Sequence, residues 1–410
     1  MKNQYAHLLF LTLTLWIGAI TNSLAQSQPV SQPVSQPATS TLDQLFSNLP
    51  GPDNPEEIDQ GILKEMKAAR IPGLAAVVIK DGKILWSGNY GWANIEQKQP
   101  VTEKTFFQVA SISKTVTACA IMKLVEKGKL SLDTDLDTIL PFSIRNPQHA
   151  TKPITMKHLL THTSGIRDNW NMLEEHWVKN GDFPESLGRS LANYFKPSGK
   201  YYNSKRNYYK WVAGSKEQYS NVAVALAAYT AEVVATIPFE KLCEQEIFQP
   251  LGISGAQFRL AGMDRSQIAM PYGLRRKTGK LKELGHHGYL DYPAGTLRIT
   301  ANQLAQFLLC FINDGELGQT RVLRAETVQE MRKVVFPEVA PKQGLAWYFS
   351  KAAGYKVLGH DGGDPGVSTY MGYRPRDGVG IIILMNTEPK SRTFESFIQR
   401  QLFGYADEQQ

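Results

Sequence analysis

The stretch FQVASISKTVTA, Phe107 to Ala118, holds two serines and a lysine. On a helix, residues three apart share a face and adjacent ones do not, so Ser111 can meet Lys114 while Ser113 points away from it. A serine hydroxyl is a weak nucleophile at neutral pH and needs a base within hydrogen-bond reach. A lysine serves as that base only when burial or neighbouring cations lower its pKa. The first turn of a helix adds backbone N–H groups and the positive end of a dipole, which suit a developing oxyanion. Acyl transfer through Ser111 is the chemistry this spacing offers. The pattern S-x-x-K occurs only here in the chain, yet read alone it equally describes a capping serine beside a surface lysine.

Two further clusters give it company. In GSKEQYSNVAVALAAYTAEVVA, Tyr219 and Asn221 stand just ahead of a long apolar helical run. A buried tyrosine near a lysine can take a proton from serine, and an asparagine amide can hold a substrate carbonyl. A rival Y-x-N at Tyr201-Tyr202-Asn203 sits in a polar aromatic loop with no element to fix it, and is set aside. In YKVLGHDGGDPGVSTYMGY, residues 355 to 373, β-prone runs flank a glycine-rich turn carrying His360, Asp361, Gly362 and Gly363. Small residues there let a strand backbone approach a substrate closely. The segment His286-His287-Gly288 is a weaker candidate because no strand leads into it.

The elements that must position these groups are legible in outline. Two β-prone runs flank Asp81-Gly82 in GLAAVVIKDGKILWSGNYG, a strong hairpin signal. A helix is expected from near Ser111 through TVTACAIMKLVEKGK, and helical patterns dominate from about residue 130 to 330. Strand signals return in GLAWYFS, YKVLGH, VSTYMGYRP and GVGIIILMN, the last two around a turn at Arg376-Asp377-Gly378, and SRTFESFIQRQLFG reads as a closing helix. Two N-terminal and three C-terminal strands therefore predict one sheet built from both chain ends. The helical middle would form a lobe, with a ligand cleft at the junction.

The chain has 410 residues, 42% hydrophobic and 20% charged, which suits a globular protein with a large core. An apolar run from Leu8 to Ile20, then small residues at Ser23 and Ala25, predicts a signal peptide over residues 1–25, cleaved after Ala25. The run is too short to span a bilayer comfortably, so no stable membrane insertion is expected after cleavage. The product would be secreted or periplasmic. The repeat SQPVSQPVSQPA has too few large apolar groups to repay its ordering entropy and makes residues 26–44 a disordered linker. Residues 45–410 are then the catalytic domain, with the helical lobe inserted at about 130–290.

Three cysteines, Cys119, Cys243 and Cys310, cannot form a fully paired set, and the sequence leaves room for one disulfide without placing it. Net charge is +7. From Phe195 to Lys216 six basic residues interleave with aromatics and no acids, a pattern that suits an anionic or glycan-bearing substrate. Export argues against nucleic acid as a partner.

With its three motifs in order, SISK at Ser111 to Lys114, YSN at Tyr219 to Asn221 and HDG at His360 to Gly362, the chain resembles the serine β-lactamase-like superfamily. The likeness is to the branch of class C β-lactamases and D-alanyl-D-alanine carboxypeptidases, with their related esterases and D-aminopeptidases. HLLTHTSGI from His158 and YPAGTLRITANQLAQF from Tyr292 also look familial, and the likeness covers roughly residues 55 to 400. It implies an α/β (α+β) β-lactamase/transpeptidase-like fold, a five-stranded antiparallel sheet flanked by helices plus a mostly helical lobe. It also implies a serine hydrolase with no cofactor, acting on a small-molecule, peptide or ester substrate, cell-wall derived in many members.

Carried onto this chain, the resemblance makes Ser111 the nucleophile and Lys114 with Tyr219 the managers of its proton. Asn221 would orient the acyl substrate, and the backbone N–H groups of Ser111 and Gly363 would form the oxyanion hole. His360 replaces the lysine of K-T-G and would give electrostatic support and proton traffic near Tyr219. The literal Lys277-Thr278-Gly279 lies among charged neighbours and reads as a solvated hairpin turn instead.

The chain departs from the pattern at Asp361 and Gly363, where relatives that bind a substrate carboxylate often carry hydroxyls. An aspartate facing the site would repel a carboxylate, which points to an esterase or D-amino-acid amidase rather than a D,D-carboxypeptidase or β-lactamase. A silent member that only binds cell-wall fragments is disfavoured by the intact Ser111, Lys114 and Tyr219. His158 and His162 are four apart, as zinc ligands can be, but Leu159 stands where a metalloprotease needs glutamate. No metal is expected.

Overall fold

The structure, a computed structural model, describes residues 45–46, 49–52, 56–275, 280–389 and 392–409. The expected signal peptide and linker, and Lys277-Thr278-Gly279, lie outside the described residues.

Helix α1, Glu57–Ala69, buries Ile58, Ile62 and Met66, four residues apart along one stripe. Strands β1 (Gly73–Lys80) and β2 (Lys83–Asn94) follow, joined at Asp81 and Gly82, both with positive φ as a two-residue type I′ hairpin requires. A short strand β3 (Gln99–Pro100) ends this group. The catalytic-motif helix α2 spans Ser113–Glu126, α3 spans Asn221–Ala235 and α4 spans Ala301–Ile312. Strands β4 (Tyr348–Ala352), β5 (Tyr355–Asp364), β6 (Val367–Tyr373) and β7 (Gly380–Met385) return to the sheet, and α5 (Arg392–Glu408) closes the chain. The main sheet runs β4-β5-β6-β7-β1-β2-β3, antiparallel throughout. Its two chain ends meet where β1 pairs with β7, Val77 opposite Ile382. Seven strands stand where five were expected, because β4 and the two-residue β3 extend the edges.

Side-chain alternation along β1 and β7 divides the core into two. Leu74, Ala76, Val78, Ile381 and Ile383 pack with Ile62 of α1 and Ile398 and Leu402 of α5. Ala75, Val77, Ile79, Ile382 and Leu384 face the other way, against Leu304 and Leu308 of α4 and the body that carries the motifs. The middle of the chain is less helical than its composition predicts. Between residues 130 and 290, α3 is the long helix, beside short ones such as Met156–Leu160 and Leu187–Phe195. Buried polar anchors hold the loops between them; Asn207, for example, donates to the carbonyls of Tyr194 and Tyr201. The basic, aromatic stretch from Phe195 to Lys216 is thus fastened from below by Tyr201 and Tyr208, both buried. The three cysteines are free and buried. Among the described residues no single helix is long and apolar enough to cross a membrane.

The third motif is not a turn. Strand β5 continues through Gly362 and Gly363 to Asp364, and the reversal comes at Pro365 and Gly366, where φ is +74°. The glycine at 362 serves close approach instead. A Cβ there would stand 2.3 Å from Thr369 Oγ1 and 2.5 Å from the Val109 carbonyl oxygen. Thr369 donates to that same carbonyl at 2.9 Å, clamping the sheet onto the turn that carries Ser111. At Gly363 a Cβ would meet no atom within 4 Å. Gly362→Ala should therefore cost roughly 1–3 kcal/mol of stability by overpacking, while Gly363→Ala should stay within about 0.5 kcal/mol. Equilibrium denaturation of the two variants side by side checks this, and equal midpoints would contradict it.

Candidate active site

Ser111 lies in a single 3₁₀ turn, Ala110–Ile112, that runs directly into α2. Ala110, just before it, has φ +45°, a left-handed conformation that costs a non-glycine residue about 1–3 kcal/mol. Such a conformation persists only where its surroundings over-determine it. Here Val109 N–H donates to Leu297 O at 2.9 Å, Leu297 N–H donates to Ser113 Oγ at 3.1 Å, and Thr369 holds the Val109 carbonyl. Ser113 is thereby occupied in a structural bond, and Ser111 is the serine left partly open.

One turn along α2, Lys114 is 0% exposed. Its Nζ is 3.0 Å from Ser111 Oγ, 2.7 Å from Asn221 Oδ1 and 2.6 Å from the Ala294 carbonyl. Burial lowers its pKa to about 7, and this outweighs the opposing pull of Asp291, Asp168, Asp364 and Asp361. The geometry says how the neutral amine must sit. A carbonyl oxygen only accepts, so the two N–H groups go to Asn221 and Ala294, and the lone pair is left facing the Ser111 hydroxyl.

The orientation of Asn221 is set by a residue that no sequence motif marked. Asp168, buried, accepts hydrogen bonds from Ser220 Oγ (2.8 Å), Asn221 N (2.9 Å), Val222 N (3.1 Å) and Asn221 Nδ2 (3.0 Å). It therefore caps the first turn of α3 and fixes the amide so that Oδ1 turns toward Lys114. One Nδ2 hydrogen is used in this way, and the second remains for a substrate carbonyl. Burial raises the pKa of Asp168, and the bonds from Asn221 N–H, Val222 N–H and Ser220 Oγ, with the Lys114 charge, work against that rise.

Tyr219 completes the group. Its ring centroid is 4.8 Å from Lys114 Nζ, and Ser111 is near enough to pull its phenol pKa down. Although 40% of its surface is exposed, protein crowds the hydroxyl end, and desolvation pushes the phenol pKa up. Lysine lowered and tyrosine raised divide the labour: Lys114 is the group able to accept a proton near neutrality, and Tyr219 stays a phenol. Behind Tyr219 stands His162, 4.3 Å away ring to ring, with φ +57°, whose Nδ1 accepts from Ser220 N–H at 3.3 Å and whose carbonyl accepts from Gln218 N–H at 2.7 Å. The HLLTH segment therefore props the tyrosine. His158 is engaged elsewhere, accepting from Thr155 N–H at 3.2 Å. Among the described residues no cluster of three or more His, Cys, Asp or Glu could hold a metal ion.

His360 is buried, with its ring 6.3 Å from that of Tyr219, and its Nδ1 donates to the Asp361 carbonyl at 2.5 Å. Burial lowers its pKa to about 4, so it is neutral at pH 7 and carries no positive charge into the site. Asp361 is exposed, and its carboxylate accepts from the Tyr348 hydroxyl. A cavity of about 200 Å³ adjoins Ser111, walled by Tyr219, Asn221 and Gly363 and also by Asp291, Asp364, Trp170 and Trp177. The structure thus brings together Ser111, Lys114, Tyr219, Asn221 and Gly363, with Gly362 behind them as a packing position and Asp361 outside the cavity wall. The rival Tyr201-Tyr202-Asn203 is a turn closed by Asn203, whose side chain accepts from Lys205 and Arg206 N–H. His287-Gly288 pairs with Val178–Lys179 in a separate two-stranded ribbon. Strands Tyr272–Leu274 and Leu281–Glu283, which precede and follow the K-T-G segment in sequence, pair antiparallel.

Comparison with known proteins bears on the family and the fold. A family model described as Beta-lactamase matches residues 58–402. Protein flp of Staphylococcus aureus is 21% identical over 336 residues, 82% of this chain but 63% of its own length, so the chain spans under two thirds of that relative. An octameric penicillin-binding protein homologue from Pyrococcus abyssi superposes with a TM-score of 0.69 at 25% identity, covering 85% of this chain and 77% of its own. D-amino acid amidase from Ochrobactrum anthropi SV3 shares the fold, with a TM-score of 0.68 at 19% identity over 90% of this chain and all of its own.

Lowering the Lys114 pKa has a direct consequence for the reactivity of Ser111. The fraction of neutral amine grows as pH rises and reaches half at about 7. Labelling of Ser111 by a fluorophosphonate, followed by intact-protein mass, should accelerate about tenfold per pH unit below that midpoint and level off above it. A midpoint near 10, the ordinary lysine range, would mean that Lys114 is not the base.

Proposed function

The chain belongs to the beta-lactamase family of serine hydrolases, and from that premise we propose that it cleaves an ester or a peptide-like amide through an acyl-enzyme on Ser111. The observation that carries this reading is the buried Lys114 amine, 3.0 Å from Ser111 Oγ with both other contacts to carbonyl oxygens. Lys114 takes the hydroxyl proton as Oγ attacks the substrate carbonyl carbon. The oxyanion that forms is met by the backbone N–H groups of Ser111 and Gly363. Collapse breaks the bond to the leaving alkoxide or amine, which leaves with the proton held by Lys114, passed through the Tyr219 hydroxyl. Water then attacks the serine ester by the same route in reverse, releasing the acid and restoring Ser111 and its proton.

Charge around the site favours substrates without a carboxylate at the leaving-group end. His360 is neutral where relatives carry lysine, and Asp361 lies close enough to act on the charge state of Lys114 and of Tyr219. Esters and amides are therefore favoured over free-acid D,D-peptides and penicillins, the substrates of the runner-up reading. A silent, fragment-binding role is disfavoured because the full Ser111–Lys114–Tyr219 group is assembled. Export through the N-terminal segment, to a periplasm or the cell exterior, is part of this proposal.

Turnover of p-nitrophenyl acetate should fall to background in Ser111→Ala, and Lys114→Met should lower kcat/KM by about 10²–10⁴. Activity that survives Ser111→Ala would refute the acyl-enzyme. A second comparison addresses the substrate end. One D-alanyl-D-alanine peptide, offered as free acid and as amide, should be cleaved about tenfold or more faster as the amide, since like charges brought together cost more than about 1.4 kcal/mol. Brief incubation with a penicillin should leave no adduct, and a preference for the acid or a penicilloyl mass on Ser111 would overturn that part of the reading.

A further inference from the structure

The walls of the cavity beside Ser111 carry carboxylates, with the buried Lys114 acting on Asp291 and the buried Arg298 on Asp364. Asp291 and Asp364 line it, and no lysine, arginine or histidine does so among the described residues. Asp364 is held by Gln108 Nε2, which donates at 2.6 Å, and by the Tyr289 hydroxyl. No side chain of another described residue is seen to donate to the Asp291 carboxylate, whose own backbone N–H pulls its pKa down. Burial raises both carboxyls to about 7, so each would be stabilised in its ionised form by a cation placed between them.

A second feature of the same walls points to a ligand independently. Trp170, 50% exposed, and Tyr219, 40% exposed, are the large hydrophobic side chains left open to solvent among the described residues, and both face this cavity. Leu173, Trp177 and Tyr289 extend that surface, the last two rings 5.3 Å apart. Apolar area left uncovered beside a nucleophile is a place for substrate. The volume, about 200 Å³, is suited to a single residue, being below the roughly 300–1,000 Å³ typical of sites for drug-sized ligands. The cavity includes Gly363 and Asp364 and leaves out His360 and Asp361, which lie toward the other end of β5.

We propose that this cavity is an aminoacyl subsite, with the α-ammonium of the substrate held between Asp291 and Asp364 and its side chain against Trp170, Leu173 and Trp177. The inference rests on the acyl-transfer reading of Ser111 and deepens it: the substrates are esters or amides of an amino acid whose amino group is free. Ser111 Oγ bonds to the aminoacyl carbon, the ester or amide bond breaks, and the leaving group departs protonated. Water then adds to the serine ester and a free amino acid is released.

Binding separates the subsite from turnover. The Ser111→Ala variant is titrated calorimetrically with racemic phenylalanine amide and with its N-acetyl derivative, which lacks the positive charge. The free amine should bind about tenfold or more tightly than the acetylated one, the scale of one close charge pair. Adding Asp291→Asn or Asp364→Asn to Ser111→Ala should shrink that preference below about threefold, a residue of under about 0.7 kcal/mol. Thermal melts show whether each variant folds; Asp291→Asn breaks no hydrogen bond seen from a side chain of another described residue and keeps the test valid should Asp364→Asn not fold. Equal binding of the two ligands, or a preference that survives in the folded variants, would overturn the subsite. Wild-type turnover of p-nitrophenyl acetate, which carries no ammonium, reports on the premise separately. Ester turnover without amine preference removes only the subsite, and loss of Ser111-dependent turnover removes both.

Discussion

The whole arrangement depends on keeping one lysine dry. An ammonium in water has a pKa near about 10.4 and accepts no proton at pH 7. Lys114 becomes a base because α2 carries it into the interior, where desolvation outweighs the attraction of four carboxylates. A buried amine must still satisfy its hydrogen-bonding groups, and this is what the neighbouring elements supply. The turn Tyr292–Ala294 presents a carbonyl, α3 presents Asn221, and Asp168 prevents that amide from turning its nitrogen toward the lysine. Turned the other way, the amide would set a donor against a donor and leave no lone pair for Ser111. Asp168 neither touches Ser111 nor lines the cavity itself, yet through Asn221 the direction of proton transfer rests on it.

The same dryness sets mechanical demands on the sheet. The 3₁₀ turn before α2 holds Ala110 in a left-handed conformation, and the strain is contained by bonds from Leu297 on one side and Thr369 on the other. The second contact requires β5 and β6 to press against Val109, and Gly362 is the position whose missing side chain lets them do so. One glycine of the pair is therefore there for packing and the other for openness: Gly362 closes the sheet on the nucleophile turn, and Gly363 leaves room in front of it.

Much of this was legible in the sequence because the chemistry sits at fixed local spacing. Ser111 and Lys114 are three apart on one helix, and Tyr219 and Asn221 open another. The runs GLAAVVIK and GIIILM mark strands buried on both faces. One sheet joining both chain ends followed from the strand signals at each end, and the fold class from the resemblance that the three motifs carry. What escaped was long-range or carried no period. Asp168 lies 53 residues from the Asn221 that it orients, in a loop with no pattern of its own. Asp291 and Asp364 reach the cavity from a turn and from a strand end 73 residues apart, so no window of sequence contains both. The lobe was read as helical from apolar content, whereas buried asparagines fasten much of it as loops. HDGG was read as a turn because glycines usually mark turns, and only tertiary contact shows that Gly362 answers to Val109.

Charge ties these observations together. A lysine in the third motif would place a cation opposite Lys114 and would itself help to hold the Lys114 pKa down. His360, buried and neutral, gives little of that repulsion, so here desolvation must do nearly all of the lowering. Carboxylates nearby work against it, and each raises the lysine pKa. Their presence in the cavity is therefore a cost to the base that a purely catalytic site would avoid. A substrate ammonium bound between Asp291 and Asp364 would cancel two of those charges at the moment of reaction and shift Lys114 further toward its neutral form. The groups that select the substrate would then also complete the base, and the full reactivity of Ser111 would be reached only with the aminoacyl group in place.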